Sequence, residues 1–427
     1  MKKRLLWSVF AVLIALTVVV DLRLVHWSTI LLTHEQLDPP APRMIELWCV
    51  FIVFIAALFY ITPSRTSDIA PEGKIRLMRI NTAIIGFFLL ASLFCFFKPS
   101  YMKIWRSAIL LPSALLMSTI YICGRLPNDA RRHFALSLLL FSYLAISFSS
   151  LIVILSPFAD IGGQSHLIYG HAVVRRYMGW GQDVAYQSCY SLFGLCFGMF
   201  YFLRTRGLRR FVNIILIVLN LYAMLFTGAR TGYVALVVLG IIYSIKYPRL
   251  LIGVIPGWIV FMLLRNLIAA DTLDQLLRER IIYNTSMSLR DVVWTSNLKL
   301  FLSSPIFGVD NYAAALSELG ISAIAHSQSA YFELLFMGGI FLLAAYCNMY
   351  RLIFRYLRDT LGEYWLPAWT CLLVFAIFSM TEILFYSVQC NLSFSIIVGL
   401  LIAYGSTNPQ PAAIQELPGI KPYEQKK

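Results

Sequence analysis

Residues 286–339 read SMSLRDVVWTSNLKLFLSSPIFGVDNYAAALSELGISAIAHSQSAYFELLFMGG, a polar segment that leaves one apolar run and enters another. It gathers Arg290, Asp310, Glu318, His326 and Glu333 in a chain that otherwise keeps such side chains sparse. Ser288 followed by Asp291 has the form of a capping box, and Pro305 with Gly308 forms a stop, so the spacing predicts a short helix over Leu289–Ser303. Leu289, Val292, Val293, Leu300 and Phe301 recur at helical intervals with Arg290, Asn297 and Lys299 between them, the pattern of an amphipathic helix resting on a bilayer surface. The preceding DTLDQLLRERIIY (271–283) repeats the arrangement, with Asp271 as a cap and Leu273, Leu276, Leu277 and Ile281 on one side. Two interfacial helices in one connection exceed what a tether requires, and we expect this segment to supply half of an active site.

Composition sets the surroundings of that segment. The 427 residues are 59% hydrophobic and only 13% charged, where soluble domains carry about a quarter charged residues. Mean hydropathy is +0.74. The chain therefore reads as an all-α, polytopic membrane protein. Its formal charge of +14 is dispersed in short clusters between apolar runs, which excludes a basic domain built to grip nucleic acid. The 8 cysteines form no CxxC and no Cys/His ligand cluster, so neither a disulfide framework nor a zinc site is expected. The opening MKKRLLWSVFAVLIALTVVVDL has the charge pattern of a signal sequence without a small-residue cleavage site, and reads as an uncleaved first span.

Crossing a hydrocarbon core of roughly 30 Å takes about 20 helical residues. Twelve apolar runs approach that length: Leu5–Val20, Ile45–Ile61, Ile80–Phe97, Ile104–Cys123, Phe134–Ser156, Val184–Leu203, Phe211–Phe226, Tyr233–Ile245, Leu250–Ile268, Ala330–Tyr350, Trp365–Phe385 and Leu392–Tyr404. This predicts a transmembrane domain over 1–406, a large extracytoplasmic loop over 269–329 between helices 9 and 10, and a Pro-rich, disordered cytoplasmic tail over 407–427. With the N-terminus inside, cytoplasmic segments hold 22 of the 35 lysines and arginines, the bias that topology requires.

Cations left on the outside are the informative ones. The connection PFADIGGQSHLIYGHAVVRRYMGWGQD (157–183) carries His166, His171, Arg175 and Arg176 among glycines, either as a phosphate-gripping loop or as a flexible connector with solvated charges. FTGARTG (226–232) places Arg230 in a minimal turn between two spans, facing protein, lipid phosphate or substrate. His326 precedes the tenth span, and Glu333, seven residues on, shares a helical face with it if the helix starts early. Glu382, near the outer end of the eleventh span, needs a partner in an apolar helix, and an arginine is the expected one. Cations and a base on one membrane face suit a lipid-linked diphosphate: guanidinium groups match its charge, and a base assists an incoming hydroxyl. Histidine fits that work, with a reference pKa near 6.5.

In the order FTGARTG, LRDVVWTSNLKLFLSSPIFGVDNY, AHSQSAYFELLFMGGI, with twelve spans and one large outside loop, the chain resembles the O-antigen ligase and Wzy-type polysaccharide polymerase superfamily of bacteria. The likeness runs from about Arg175 to Ile340, while the first five spans share only topology. It implies a metal-free membrane glycosyltransferase without cofactor, acting on an undecaprenyl-diphosphate-linked glycan donor at the outer face of the bacterial cytoplasmic membrane. A glycan or lipid would be the acceptor. It further implies Arg230 and Arg290 as diphosphate contacts, His326 as the base-like residue and Arg176 as the loop arginine. Arg175, Glu333 and Asp310 join these as candidate substrate-binding residues. Where many members follow the histidine with asparagine this chain has Ser327, and Gly181, Gln182 and Asp183 replace an asparagine-containing turn. Polymerase and ligase both stay open, as does a lipid-linked oligosaccharide flippase, which would place charges at mid-membrane and show repeats.

Overall fold

The computed structural model describes residues 69, 71–101, 105, 109, 111–159, 163–169, 172–179, 183–248, 290–312, 314–315, 327, 329–382 and 388–407. Within them run helices α1 (Pro71–Phe97), α2 (Leu111–Arg125) and α3 (Asn128–Ala159), strands β1 (Gly163–Tyr169) and β2 (Ala172–Gly179), and helices α4 (Val184–Arg204), α5 (Leu208–Thr227) and α6 (Arg230–Lys246). Then follow α7 (Arg290–Ser303), α8 (Ala330–Thr360), α9 (Trp365–Thr381) and α10 (Val388–Gly405). The first, second and ninth apolar runs, the DTLDQLLRERIIY segment and the 407–427 tail apart from Thr407 lie outside the described residues. Every other run overlaps a helix in its described residues. Four helices are long and apolar enough to cross a membrane by length and composition: α1, α5, α8 and, over Asn128–Ser156, α3.

Lipid explains the pattern of burial. Phe96 and Phe97 of α1, Phe211 and Ile215 of α5, and Val234, Val237 and Ile241 of α6 are all exposed. Such apolar stripes on helices whose opposite faces are packed suit hydrocarbon, not water. Inside, α4 is the central element, buried along nearly its whole length and packed against α3, α5, α6 and α9. Asp183 starts it as an N-cap, its carboxylate accepting from the Ala185 amide at 2.7 Å. Gly194 and Gly198 on α4 face Asn220 and Ile217 of α5, the close approach through small residues by which membrane helices associate.

Neutral amides tie this trio together where charges would be costly. Asn220 donates to Ser147 Oγ at 2.9 Å and accepts from Ser150 Oγ at 2.8 Å, and Ser150 Oγ lies 3.1 Å from Ser191 Oγ. Two turns away, Asn213 accepts from Tyr143 OH at 2.8 Å and donates to the Gly198 carbonyl at 2.7 Å. Each amide thereby joins α5 to both α3 and α4, with its polar atoms satisfied inside the packed bundle.

Side-chain contacts sort the helix ends into two groups. At one end, Arg131, fully buried at the start of α3, donates to Ser406 Oγ after α10 at 3.0 Å and to the Leu126 carbonyl at 2.6 Å. There too Arg204 at the end of α4 donates to Tyr404 OH and faces its ring, and Arg76 of α1 pairs with Asp359 of α8 at 3.0 Å. The other end gathers the close of α5, the start of α6, the start of α8 and the close of α9. Helices thus alternate in direction, as a chain threading back and forth across a bilayer must.

Two of the sequence expectations change. The connection read as a Gly-rich loop is an antiparallel hairpin, in which His166 pairs with Arg175 and Ser165 with Arg176. Leu167, Ile168, Val173 and Val174 supply strand-forming side chains, and Tyr177 anchors β2 by packing on Phe226 of α5. Among the described residues the bundle therefore carries one small sheet on an otherwise helical frame. In α7, Asn297 does not fall on a polar outer face: Val293, Ser296, Asn297 and Leu300 form the buried side, while Leu298 and Leu302 are exposed. The amide can be buried because protein groups satisfy it, so a polar residue here marks a contact rather than water.

The helix α8 is not continuous. Gly338 (φ −141°, ψ 19°) and Gly339 (φ 61°, ψ −158°) leave helical geometry within an apolar run. The turn after α7 fills the break: Val309 N donates to the Phe336 carbonyl at 2.7 Å, and Ile340 N to the Pro305 carbonyl at 3.0 Å. A Cβ on Gly339 would collide with the Ile306 carbonyl, and one on Gly308 (φ 75°) with the Phe336 carbonyl. Gly339→Ala therefore combines left-handed strain with a backbone clash, and is expected to lower stability by about 1–3 kcal/mol. Gly86→Ala in α1, where a Cβ meets nothing within 4 Å, should instead be neutral or stabilising by up to about 1 kcal/mol. Thermal unfolding of the detergent-solubilised variants compares the two, and equal midpoints would contradict the interlocked turn.

Candidate functional site

The end that joins α5, α6, α8 and α9 collects most of the described candidates. The α5 helix ends at Gly228 and α6 begins at Arg230, so the FTGARTG motif is the turn between two spans. Thr227 Oγ1 donates to the Met224 carbonyl at 2.7 Å, and Tyr233 OH donates to the Leu225 carbonyl at 3.0 Å, bracing the turn from both sides. Arg176 reaches it from β2, its Nε donating to the Thr227 carbonyl at 3.2 Å. Two sequence-distant arginines, Arg176 and Arg230, are thus brought to one turn.

Across from them stands the close of α9. Thr231 Oγ1 and Thr381 Oγ1 are 2.7 Å apart, so Arg230 and Glu382 each lie one residue from the same contact. Glu382 also closes α9, its amide donating to the Phe378 carbonyl at 2.7 Å. Ser329 joins α8 to this group by donating to the Ser379 carbonyl at 3.4 Å. Arg230 is the first residue of α6, so its guanidinium adds to the partial positive charge of that helix N-terminus, with the Glu382 carboxylate close by at the end of α9.

Glu333 lies in the first turn of α8, where the same dipole favours a carboxylate. It does not face open space. It is 1% exposed, and its Oε1 accepts from Ser327 N at 3.0 Å and from Ser327 Oγ at 2.8 Å. Asp310 behaves oppositely: its carboxylate is exposed and sits 3.8 Å from Lys98 Nζ after α1, while its carbonyl accepts from Ser100 Oγ at 2.6 Å. Burial pushes the Lys98 ammonium below the usual lysine range, with Asp310 opposing that shift, and Lys98 donates to the Phe307 carbonyl. Asp310 therefore pins the turn after α7 to α1.

His326 lies outside the described residues, as do His171 and the side chains of Arg175, Arg290 and His166; the backbone places Arg175 in β2 and Arg290 at the head of the described part of α7. Two residues that the sequence reading named, but not as site candidates, are of consequence here. Asn297 is fully buried, its Nδ2 donating to the Ser327 carbonyl at 2.9 Å and its Oδ1 accepting from Tyr312 OH at 3.0 Å. Ser327 is the shared partner of Asn297 and Glu333. An asparagine at heptad distance from Arg290 gave no local hint of either contact. Among the described residues no three His, Cys, Asp or Glu side chains come together as a metal-binding group.

Four helices long and apolar enough to cross a membrane, with apolar faces exposed, define the class: this is a helical membrane protein. The chain matches no protein-family model and no curated protein sequence.

The Thr231–Thr381 contact offers a direct check of the assembled end. With the native cysteines replaced, Thr231→Cys and Thr381→Cys together should cross-link under mild oxidation, because the side chains already touch. Reactivity no higher than that of a Thr231→Cys and Ile245→Cys pair, at opposite ends of α6, would show that α6 and α9 do not meet there.

Proposed function

We propose that this protein is a membrane glycosyltransferase that polymerises repeat units carried on an undecaprenyl-diphosphate-type lipid at the outer face of the bacterial cytoplasmic membrane. The observation that carries the reading is the convergence of Arg176 and Arg230 on one helix-opening turn. Guanidinium forks bind diphosphate oxygens in pairs, and a helix N-terminus adds donors and positive potential to the same spot. Orientation agrees with this assignment, since Arg76, Arg131 and Arg204 cluster at the opposite end, as cytoplasmic residues would.

In the mechanism we infer, Arg230 and Arg290 hold the donor diphosphate and Arg176 supports the turn beside it. His326 takes the proton from the acceptor hydroxyl as its oxygen attacks the anomeric carbon. The bond from that carbon to the diphosphate oxygen breaks, and the lipid diphosphate leaves with its charge matched by the arginines. Positioned base assistance is worth about 10²- to 10⁴-fold. Transfer to a lipid core or another acceptor, the ligase reaction, uses the same chemistry and is the alternative within this class. A flippase or other transporter is a second reading favoured by one specific feature, the break in α8, because discontinuous helices line many transport sites. Against it, protein groups from the 305–309 turn accept and donate at that break.

Purified protein given fluorescent lipid-linked repeat units distinguishes these readings: lengthened glycan means polymerase, transfer to an added lipid core means ligase, and translocation without a new glycosidic bond means transport. If the diphosphate assignment holds, Arg230→Lys with Arg290→Lys keeps the charge, loses the forks and lowers transfer by about 10²-fold or more. Full activity in that double variant would remove the assignment.

A further inference from the structure

Ser327 is the point at which α7 and α8 meet through polar side chains, and all of its hydrogen-bonding groups are engaged. Its amide and its hydroxyl both donate to Glu333 Oε1, at 3.0 Å and 2.8 Å, and the hydroxyl also lies 2.8 Å from the Ser329 carbonyl. The Ser329 amide returns a bond to Ser327 Oγ at 3.3 Å. On the other side the Ser327 carbonyl accepts from Asn297 Nδ2 at 2.9 Å, and Tyr312 OH donates to Asn297 Oδ1 at 3.0 Å. Ser327, Asn297 and Glu333 are all buried.

Such an arrangement is more than a helix start needs. A serine or aspartate at the cap satisfies free amides at the surface without burying a carboxylate, and a buried charge is a poor source of stability compared with apolar packing. What a buried, fully partnered polar chain does supply is a single conformation. The conformation fixed here is that of the backbone around Ser327. The amide held by Glu333 is the peptide link between His326 and Ser327, so the clamp acts one covalent bond from the histidine. The carbonyl held by Asn297 ties the same residue to α7, the helix whose described part opens with Arg290.

We propose that Glu333 and Asn297 are positioning residues, which fix the two faces of Ser327 and so hold the backbone that enters α8, to which His326 is directly bonded, in register with the arginine-bearing helix α7. This rests on the glycosyl-transfer reading, in which His326 and Arg290 act on one substrate. Glu333 on this account neither touches substrate nor moves a proton.

The test uses the full-length protein in nanodiscs with lipid-linked repeat units, following kcat and KM separately. Asn297→Ala and Glu333→Ala should each lower kcat by about 10- to 100-fold, the scale of a small misplacement of reacting groups, with KM changed less than about threefold because Arg230, on a turn the clamp does not touch, still holds the diphosphate. Glu333→Gln keeps an acceptor oxygen for both Ser327 donors and should recover most of the activity that Glu333→Ala loses. If Glu333→Gln is as inactive as Glu333→Ala, Glu333 acts by its charge or as a base, and the positioning role is overturned. The double variant Asn297→Ala, Glu333→Ala should be little worse than the poorer single one, since both act on one residue; losses that multiply would assign them separate tasks and also overturn it. Asn213→Ala, in the α3–α4–α5 network, serves as the stability control: if it loses thermal stability to the same degree and kcat falls equally, the effect is one of folding and the proposal fails. His326→Ala separates the two levels. An inactive His326→Ala alongside fully active Asn297→Ala and Glu333→Ala rejects the clamp and spares the functional reading, whereas an active His326→Ala rejects both.

Discussion

Two backbone hydrogen bonds, Val309 N to the Phe336 carbonyl and Ile340 N to the Pro305 carbonyl, hold the turn after α7 inside the break of α8. Within an apolar environment a helix cannot open without exposing peptide groups, each costing several kcal/mol if nothing meets it. The turn meets them, and glycines at 308 and 339 allow backbone to approach backbone where any side chain would intervene. The arrangement fastens α7 to the helical bundle through the turn that follows it. Lys98 and Ser100, just after α1, reach the same turn, donating to the carbonyls of Phe307 within the inserted segment and of Asp310 directly after it. Asn297 then adds a second attachment one helix away. A helix held at two points has a defined direction, which any group at its head inherits.

The rest of the bundle separates structural polarity from chemical polarity. Toward the middle, amides and hydroxyls of α3, α4 and α5 satisfy one another and carry no net charge. At the end where Arg131 and Arg204 lie, the buried Arg131 and the half-buried Arg204 meet carbonyls, hydroxyls and aromatic rings, holding α3 and α4 to the close of α10. At the opposite end, arginines from a strand and a helix start meet at one turn, with a carboxylate at the close of α9 and a clamped serine before α8 nearby. Among the described residues, polar groups that cross-link helices are spread through the fold, whereas the candidate residues Arg176, Arg230 and Glu333 lie toward one end.

Helix positions were legible in the sequence because lipid demands long uninterrupted apolar runs, so the boundaries of α4 and α8 follow from where Val184 and Ala330 begin such runs. Pairings between distant backbone groups leave no such mark. Gly338 and Gly339 read as ordinary small residues in an apolar stretch, and nothing local says that residues 305–309 occupy the gap between them. The hairpin was hidden by its glycines, although the runs HLIY and AVVRRY around Gly170 and His171 carried the β-branched and aromatic signal of two short strands. Asn297 was placed on the wrong side because periodicity equates polarity with water, an equation that fails whenever a buried partner exists. For the candidate site, Arg176 and Arg230 were singled out in the sequence as arginines in connections expected on the outside, and the structure brings them to one turn; the partnership of Glu333 with Ser327 was not legible. Its seven-residue offset from His326 suggested a shared face, and the carboxylate instead turns back on the segment before its own helix.

The account depends on a diphosphate being bound at the end of the bundle that carries Arg176 and Arg230. A cryo-electron microscopy reconstruction of the full-length protein in nanodiscs with a saturating polyprenyl diphosphate measures that directly. The account predicts diphosphate density within hydrogen-bonding reach of Arg230, with the isoprenoid chain leaving along lipid-exposed helix faces. Diphosphate density at the opposite end, against Arg131 or Arg204, or an Arg230 turn that stays empty at saturation, would contradict it.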